Sequence, residues 1–177
     1  HFILLAKDEI GHSQLQELSS RAWERSWMKF IRRRPTYYSD IEKIVGNNPG
    51  HIIASTACIG GFLGTTILRY GADSKNKSKY QQEIIDFLNW CVNIFGEENF
   101  FLEMQPSNEE EQVFVNTEIQ KISAAMGIPV IITTDAHYLK KEDRKIHKAY
   151  LNSKDGDREV DSFYASTYVM TVEEIHE

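Results

Sequence analysis

Four short apolar runs, separated by stretches of helical periodicity, organise the 177-residue chain. "HFILLA" (1–6), "HIIASTA" (51–57), "NFFLEMQ" (99–105) and "IPVIITT" (128–134) read as strands. They are apolar at successive rather than alternate positions, the pattern of strands buried on both faces. Residues 13–33 predict a helix, with Leu15, Leu18, Ala22, Met28 and Ile31 near helical spacing and Pro35 beyond its end. "SDIEKIVGNN" predicts a short helix that Ser39 or Asp40 caps and Gly46 stops. Gly60, Gly61 and Gly64 open a helical stretch reaching about Arg69, and "GADSKNKSK" reads as the clearest loop. Residues 80–96 and 108–127 are helices ending at Gly96 and Gly127, the second with acids in its first turn as the helix dipole favours. "KKEDRKIHKAYLNS" predicts another helix and "ASTYVM" a fifth strand. A capping box from Thr171 to Glu174 then opens a last helix.

Strand and helix therefore alternate, which predicts an α/β fold built on a parallel sheet or barrel, as a single domain over residues 1–177. Hydrophobic residues at 41% and charged residues at 26% fit an ordinary globular protein. No apolar run approaches the roughly 18 residues of a membrane helix, and "HFILLAK" carries neither a basic leader nor an initiator Met. Cys58 and Cys91 make no disulfide framework, so the expected compartment is a reducing cytoplasm. A net charge of −6 argues against stand-alone nucleic-acid binding. The basic run Arg32 to Arg34 reads as a solvated helix end.

Candidate chemistry lies at the strand ends, where α/β proteins bind their ligands. "VIITTDAHYL" runs from a strand straight into Asp135 and His137. In an extended segment residues i and i+2 point to one side, so the pair is expected to converge. Such a pair is either a metal site or a turn Asp beside a partly buried His. Cys58, just past the second strand and followed by two glycines, is either a zinc-class thiolate or a small buried hydrophobe. Glu103, a carboxylate within the third strand, needs a partner. His1 precedes the first strand and faces either the same edge or nothing.

"HFILLAKDEIGHSQLQEL", "IIASTACIGG", "FLEMQ" and "GIPVIITTDAHYLKKEDRKIHKAYL", in this order, resemble the motifs of the polymerase-and-histidinol-phosphatase (PHP) domain. More narrowly, they resemble its version in the α subunit of bacterial DNA polymerase III. The resemblance implies part of a distorted seven-stranded (βα) barrel, mostly parallel with outer helices, holding up to three divalent ions of the zinc, manganese or iron class. It assigns His1, Cys58, Asp135 and His137 as ligands and puts Glu103 behind them. The family's earlier His-x-His pair, Asp, His and Glu are absent from this sequence, so the resemblance implies a truncated domain with an incomplete cluster.

The implied chemistry is metal-dependent phosphoester hydrolysis at the 3′ end of DNA, a proofreading 3′–5′ exonuclease, with nucleotide addition performed by another domain of the DNA polymerase. No G-x-S-x-G elbow or Walker loop points elsewhere. Implied partners are DNA, the other polymerase domains and further replicative subunits. The alternatives are a non-catalytic brace or docking module of the polymerase, and a small-molecule phosphatase of the histidinol-phosphate type.

Overall fold

The computed structural model describes residues 1–25, 35–155 and 163–176. Met28, Ile31 and the Arg32–Arg34 run lie outside the described residues. The chain forms two compact units: His1–Ala57 with Gly61–Phe101, and Cys58–Gly60 with Leu102–Glu177.

The first unit holds β1 (Ile3–Ala6), α1 (Glu9–Arg25), α2 (Tyr38–Ile41), β2 (Ile52–Ser55), α3 (Phe62–Ala72), α4 (Lys77–Phe95) and the start of β3 (Phe100–Met104). Its core is built from Leu18, Val45, Ile52, Leu63, Ile67, Leu88 and Phe100, all buried. Phe95 joins them, its ring 5.8 Å from Phe2 and 6.4 Å from Phe100.

The "AKDEIG" stretch is a joint between β1 and α1. Asp8 opens the helix: its Oδ1 accepts from the Gly11 N–H at 2.9 Å, and its carbonyl accepts from the His12 N–H. The His51 carbonyl accepts from the Lys7 N–H at 2.9 Å and lies so close to Gly11 that an added Cβ would sit 2.1 Å from it. Only glycine fits there. The Lys7 ammonium donates to Asn99 Oδ1 at 2.8 Å, and the Asn99 amide donates to the Phe95 carbonyl.

Helix α2 is capped at Tyr37 rather than at Ser39 or Asp40. Asp40 sits inside the first turn, where its carboxylate accepts from the Tyr37 N–H and pairs with both terminal nitrogens of Arg25, Nη2 to Oδ1 at 2.6 Å. The helix then widens into a single π-type turn, Glu42–Gly46. Buried Gln14 supports that turn, its amide donating to the carbonyls of Ile44 and Asn48.

Three expectations are corrected in this unit. First, β1 is not buried: Leu5 is 57% exposed. Second, it pairs with β2 antiparallel, Ile3 opposite Ser55 and Ala6 opposite Ile52. β2 is its one strand neighbour among the described residues, so β1 lies at a sheet margin and an apolar run there does not become core. Third, "GADSKNKSK" is largely helical. Asp73 accepts from the N–H groups of Lys75 and Asn76, nucleating a 3₁₀ turn that leads directly into α4. A local side-chain cap replaces the missing apolar periodicity.

In the second unit, the end of β3 pairs in parallel with β4 (Val130–Ile132), and β2 pairs in parallel with the beginning of β3 in the first unit. Two of the three strand pairings among the described residues are thus parallel, in keeping with a mixed α/β fold of partial-barrel type. Helix α5 (Glu110–Met126) carries Glu110 and Glu111 in its first turn and ends at Gly127, whose φ of 72° is left-handed. Leu102, Val115, Ile119 and Ile128 form the core.

The strand β4 is shorter and more exposed than expected, with Ile132 at 51%. The fifth strand reduces to an isolated parallel bridge between Tyr138 and Tyr168, after a helical turn over Phe163–Ser166. Helices α6 (Arg144–Asp155) and α7 (Val172–His176) complete the unit. The predicted capping box forms: Thr171 N–H donates to Glu174 Oε2 at 2.9 Å and Glu174 N–H to Thr171 Oγ1 at 3.3 Å. No described helix is long and apolar enough to cross a membrane.

Candidate metal centre

After β4 the Thr133 N–H still donates to the Met104 carbonyl, and the chain then leaves the sheet. Asp135 adopts a left-handed backbone with φ of 44°. The expected extended Asp-x-His geometry is therefore corrected: the pair is not related by a strand's two-residue repeat. Aspartate tolerates this conformation better than most residues because its short polar side chain bonds locally. The turn folds His137 back so that its Nδ1 lies 2.6 Å from the Asp135 carbonyl oxygen. A carbonyl only accepts, so Nδ1 is the donor in this contact and Nε2 is the ring nitrogen left for a ligand. An imidazole tethered in this way is the common state of a metal-ligating histidine.

Main-chain bonds fix the segment further, His137 N–H to the Thr167 carbonyl at 2.7 Å and Val169 N–H to the Leu139 carbonyl. The His137 ring centroid lies 5.2 Å from Tyr164 and 5.8 Å from His147, and Tyr138 stands 5.4 Å from His147. The Tyr138 hydroxyl donates to the Tyr164 carbonyl at 2.5 Å. Burial, and then the nearby His137, hold His147 below the ordinary histidine range. His147 belongs to this cluster although nothing in its helical sequence context marks it: its spacing of ten residues from His137 acquires meaning only once α6 packs.

Ala57 is the other described non-glycine residue with a left-handed backbone, φ of 59°, and it immediately precedes Cys58. A non-glycine residue held there costs about 1–3 kcal/mol and is kept only where the surroundings over-determine it. Such residues thus come after both β2 and β4. Cys58 is a half-buried thiol outside any disulfide, in the second unit. Cys91 is fully buried in the first, and its thiol is pushed far up by desolvation.

Glu103 is 3% exposed, and its Oε1 accepts from Thr133 Oγ1 at 2.6 Å and Gln105 Nε2 at 3.1 Å. Its need for partners is met by residues just past the ends of β3 and β4. His1 lies in the first unit, where the antiparallel register carries it past Ser55 toward the carboxyl end of β2. Among the described residues no three His, Cys, Asp or Glu side chains group closely enough to hold an ion. The donor types at Cys58, Asp135 and His137 nonetheless suit a borderline-soft divalent cation. Beside the ends of β3 and β4 opens a cleft of about 590 Å³ lined by Gln105, Ser107, Asn108, Asn116, Lys141 and Tyr168, among others.

Residues 1–107 match the family described as PHP domain. Over the whole chain the sequence is 45% identical to a "Probable DNA polymerase YorL" of Bacillus subtilis and to a "DNA-directed DNA polymerase" of Bacillus phage SPbeta. It spans 14% of the length of each. It is 34% identical to a "DNA polymerase III subunit alpha" of Borreliella burgdorferi, over 81% of this chain and 11% of that protein. The matched region covers more than half of the sequence, and the chain belongs to the PHP domain family.

Proposed function

We propose that this chain is the PHP portion of a DNA polymerase related to the polymerase III α subunit, and that the parent domain hydrolyses phosphoesters with divalent ions, acting as a 3′–5′ exonuclease. The observation that carries this reading is the tethered His137: Nδ1 is committed to the Asp135 carbonyl, so Nε2 is the nitrogen offered outward. Similarity to DNA polymerases along the full chain supplies the context. DNA, the other polymerase domains and further replicative subunits are the partners this role entails, in the cytoplasm.

His1, Cys58, Asp135 and His137 are proposed as the residues that hold the ions. What such ions supply when bound is Lewis acidity toward a phosphoester oxygen. The chain's own contributions are separable. Asp135 lends a compensating negative charge, and the His147–Tyr164 edge limits rotation of the His137 ring. Glu103 and Thr133 hold the ends of β3 and β4 together, and Lys141 adds a cation to the cleft beside them.

The test is made in the full-length polymerase. Asp135→Asn and His137→Ala are each expected to lower bound metal and to abolish release of a 3′-terminal nucleotide from labelled primer, with primer extension retained. Intact metal-dependent release in both variants would defeat the exonuclease reading and favour a brace or docking module.

A further inference from the structure

A cluster of cations and tyrosines lies in the first unit, at the junction of α3 and α4. Residues 69–80 carry Arg69, Lys75, Lys77 and Lys79, four of the chain's 20 cations, against a single acid, Asp73, of its 26. In a chain of net charge −6 this short segment is locally positive. All four cations are exposed. The one acid is engaged by its own turn: Asp73 accepts from the N–H groups of Lys75 and Asn76 and from the Asn76 amide at 2.7 Å. Lys79 has Glu83 one helical turn on, at 3.9 Å.

Two tyrosines interleave with these cations. The Arg69 guanidinium lies 5.6 Å from the centre of the Tyr80 ring, and the Lys77 ammonium 4.6 Å from that of Tyr70. The pairs run in opposite directions between the last turn of α3 and the first turn of α4, so they clasp the two helices. Arg69 is fixed further by Nη2 donating to Thr66 Oγ1 at 2.9 Å and Nε to the Thr65 carbonyl. A cation resting on a ring keeps its charge and has already lost rotamer freedom, which lowers the entropic cost of meeting an anion. Cations in register with aromatic side chains are what a single-stranded nucleic acid requires: charge for the phosphodiester chain and rings for unstacked bases.

We infer that the Arg69–Tyr80 segment binds the backbone of single-stranded DNA, apart from the metal-dependent chemistry proposed above. The choice of DNA rests on that proposed polymerase role; the surface itself does not depend on metal.

The experiment is fluorescence anisotropy of the 177-residue chain with labelled oligothymidylate in the presence of EDTA. The unaltered chain is expected to bind saturably. Lys75→Glu/Lys77→Glu/Lys79→Glu should weaken binding by about tenfold or more and flatten the salt dependence by about two in log–log slope, as losing three phosphate contacts requires. Lys75→Gln/Lys79→Gln, which leaves the Lys77–Tyr70 clasp in place, should give a smaller loss in the same direction at an unchanged unfolding midpoint, which separates charge from folding. Lys43→Glu/Lys121→Glu/Lys145→Glu, with the same change in net charge, should bind nearly as the unaltered chain does. Equal loss in that control, absence of saturable binding, tighter binding to duplex, or equal competition by polyglutamate would each overturn the inference. EDTA suppresses hydrolysis here, so activity is read separately in the full-length polymerase with divalent metal: binding in EDTA without primer degradation there would count against the proposed chemistry alone, and degradation there without this binding against the surface alone.

Discussion

His137 is tied to Asp135 through the main chain rather than through the carboxylate, with Nδ1 2.6 Å from the Asp135 carbonyl oxygen. The two side chains are therefore separable by mutation. Asp135→Asn should keep both the left-handed turn and the histidine tether, because Asn also tolerates positive φ. It should lower divalent-ion affinity by about tenfold or more with little change in unfolding free energy. Asp135→Val, equally uncharged but β-branched, should in addition destabilise the fold by about 1–3 kcal/mol. Titration calorimetry with zinc and denaturant unfolding, run in parallel, check the pair; equal stability of both variants would contradict the strained turn.

Gly11 tests the joint between β1 and α1. An added methyl would sit 2.1 Å from the His51 carbonyl oxygen, which itself accepts from Lys7. Gly11→Ala should cost about 3 kcal/mol or more, the upper end for overpacking, because backbone has to move. Alanine's better helix propensity returns about 1 kcal/mol at most. A higher melting temperature for Gly11→Ala would show that the contact relaxes freely.

The Arg25–Asp40 pair sets a pH dependence. Hydrogen bonding from Arg25 holds the Asp40 carboxyl below its ordinary value of 3.8, while burial opposes it. A carboxyl depressed in the folded state binds fewer protons there than when unfolded. Its stabilisation is thus complete above about pH 5 and fades as pH falls through 3.8 and below. Asp40→Asn should destabilise the chain at neutral pH and remove part of its acid sensitivity. Unfolding midpoints measured from pH 7 down to 3 should converge for the two proteins; parallel curves would refute the assignment.

Thr133 holds Glu103 from the neighbouring strand at 2.6 Å. Thr133→Val keeps the shape and removes the donor, so a buried carboxylate loses one partner at a cost of about 1–3 kcal/mol. Glu103→Gln in the same background should recover part of the loss, since an amide is cheaper to bury than a charge. Chemical denaturation of the two single variants and the double variant measures the coupling; strict additivity would mean that the bond contributes nothing.

Helix ends were legible where local chemistry decides them: Gly127 takes the left-handed cap, and Thr171 with Glu174 forms its reciprocal box, whereas α2 is capped at Tyr37 rather than Ser39 or Asp40. Apolar runs mark the four strands of the described residues, whereas "ASTYVM" gives only an isolated bridge. Burial was not. "HFILLA" and "IPVIITT" carry the signature of buried strands, yet Leu5 and Ile132 face outward. An apolar run reports what a strand can bury, whereas its place in the sheet decides what it does bury. At the candidate site, residue type pointed to Cys58, Asp135 and His137, but an i, i+2 rule could not foresee a left-handed Asp135. The share of His147 in the cluster depends on how α6 packs, which no local pattern encodes.

The reversal of β1 against β2 changes how positions map onto an edge. In a purely parallel sheet one edge collects the residues just past the carboxyl end of every strand. Here Ile3 stands opposite Ser55, so the residues that precede β1 share a margin with those beyond the end of β2. The polarity of the strand, rather than its rank in the chain, therefore assigns a residue to that margin. By the same rule Lys7 and Asp8, which trail β1, fall on the opposite side, next to His51 at the entrance to β2. The Asp8–His51 pair, joined at 2.7 Å, is in consequence an anchor of the far margin, and an insertion after Ala6 would disturb that anchor while leaving the His1 side untouched.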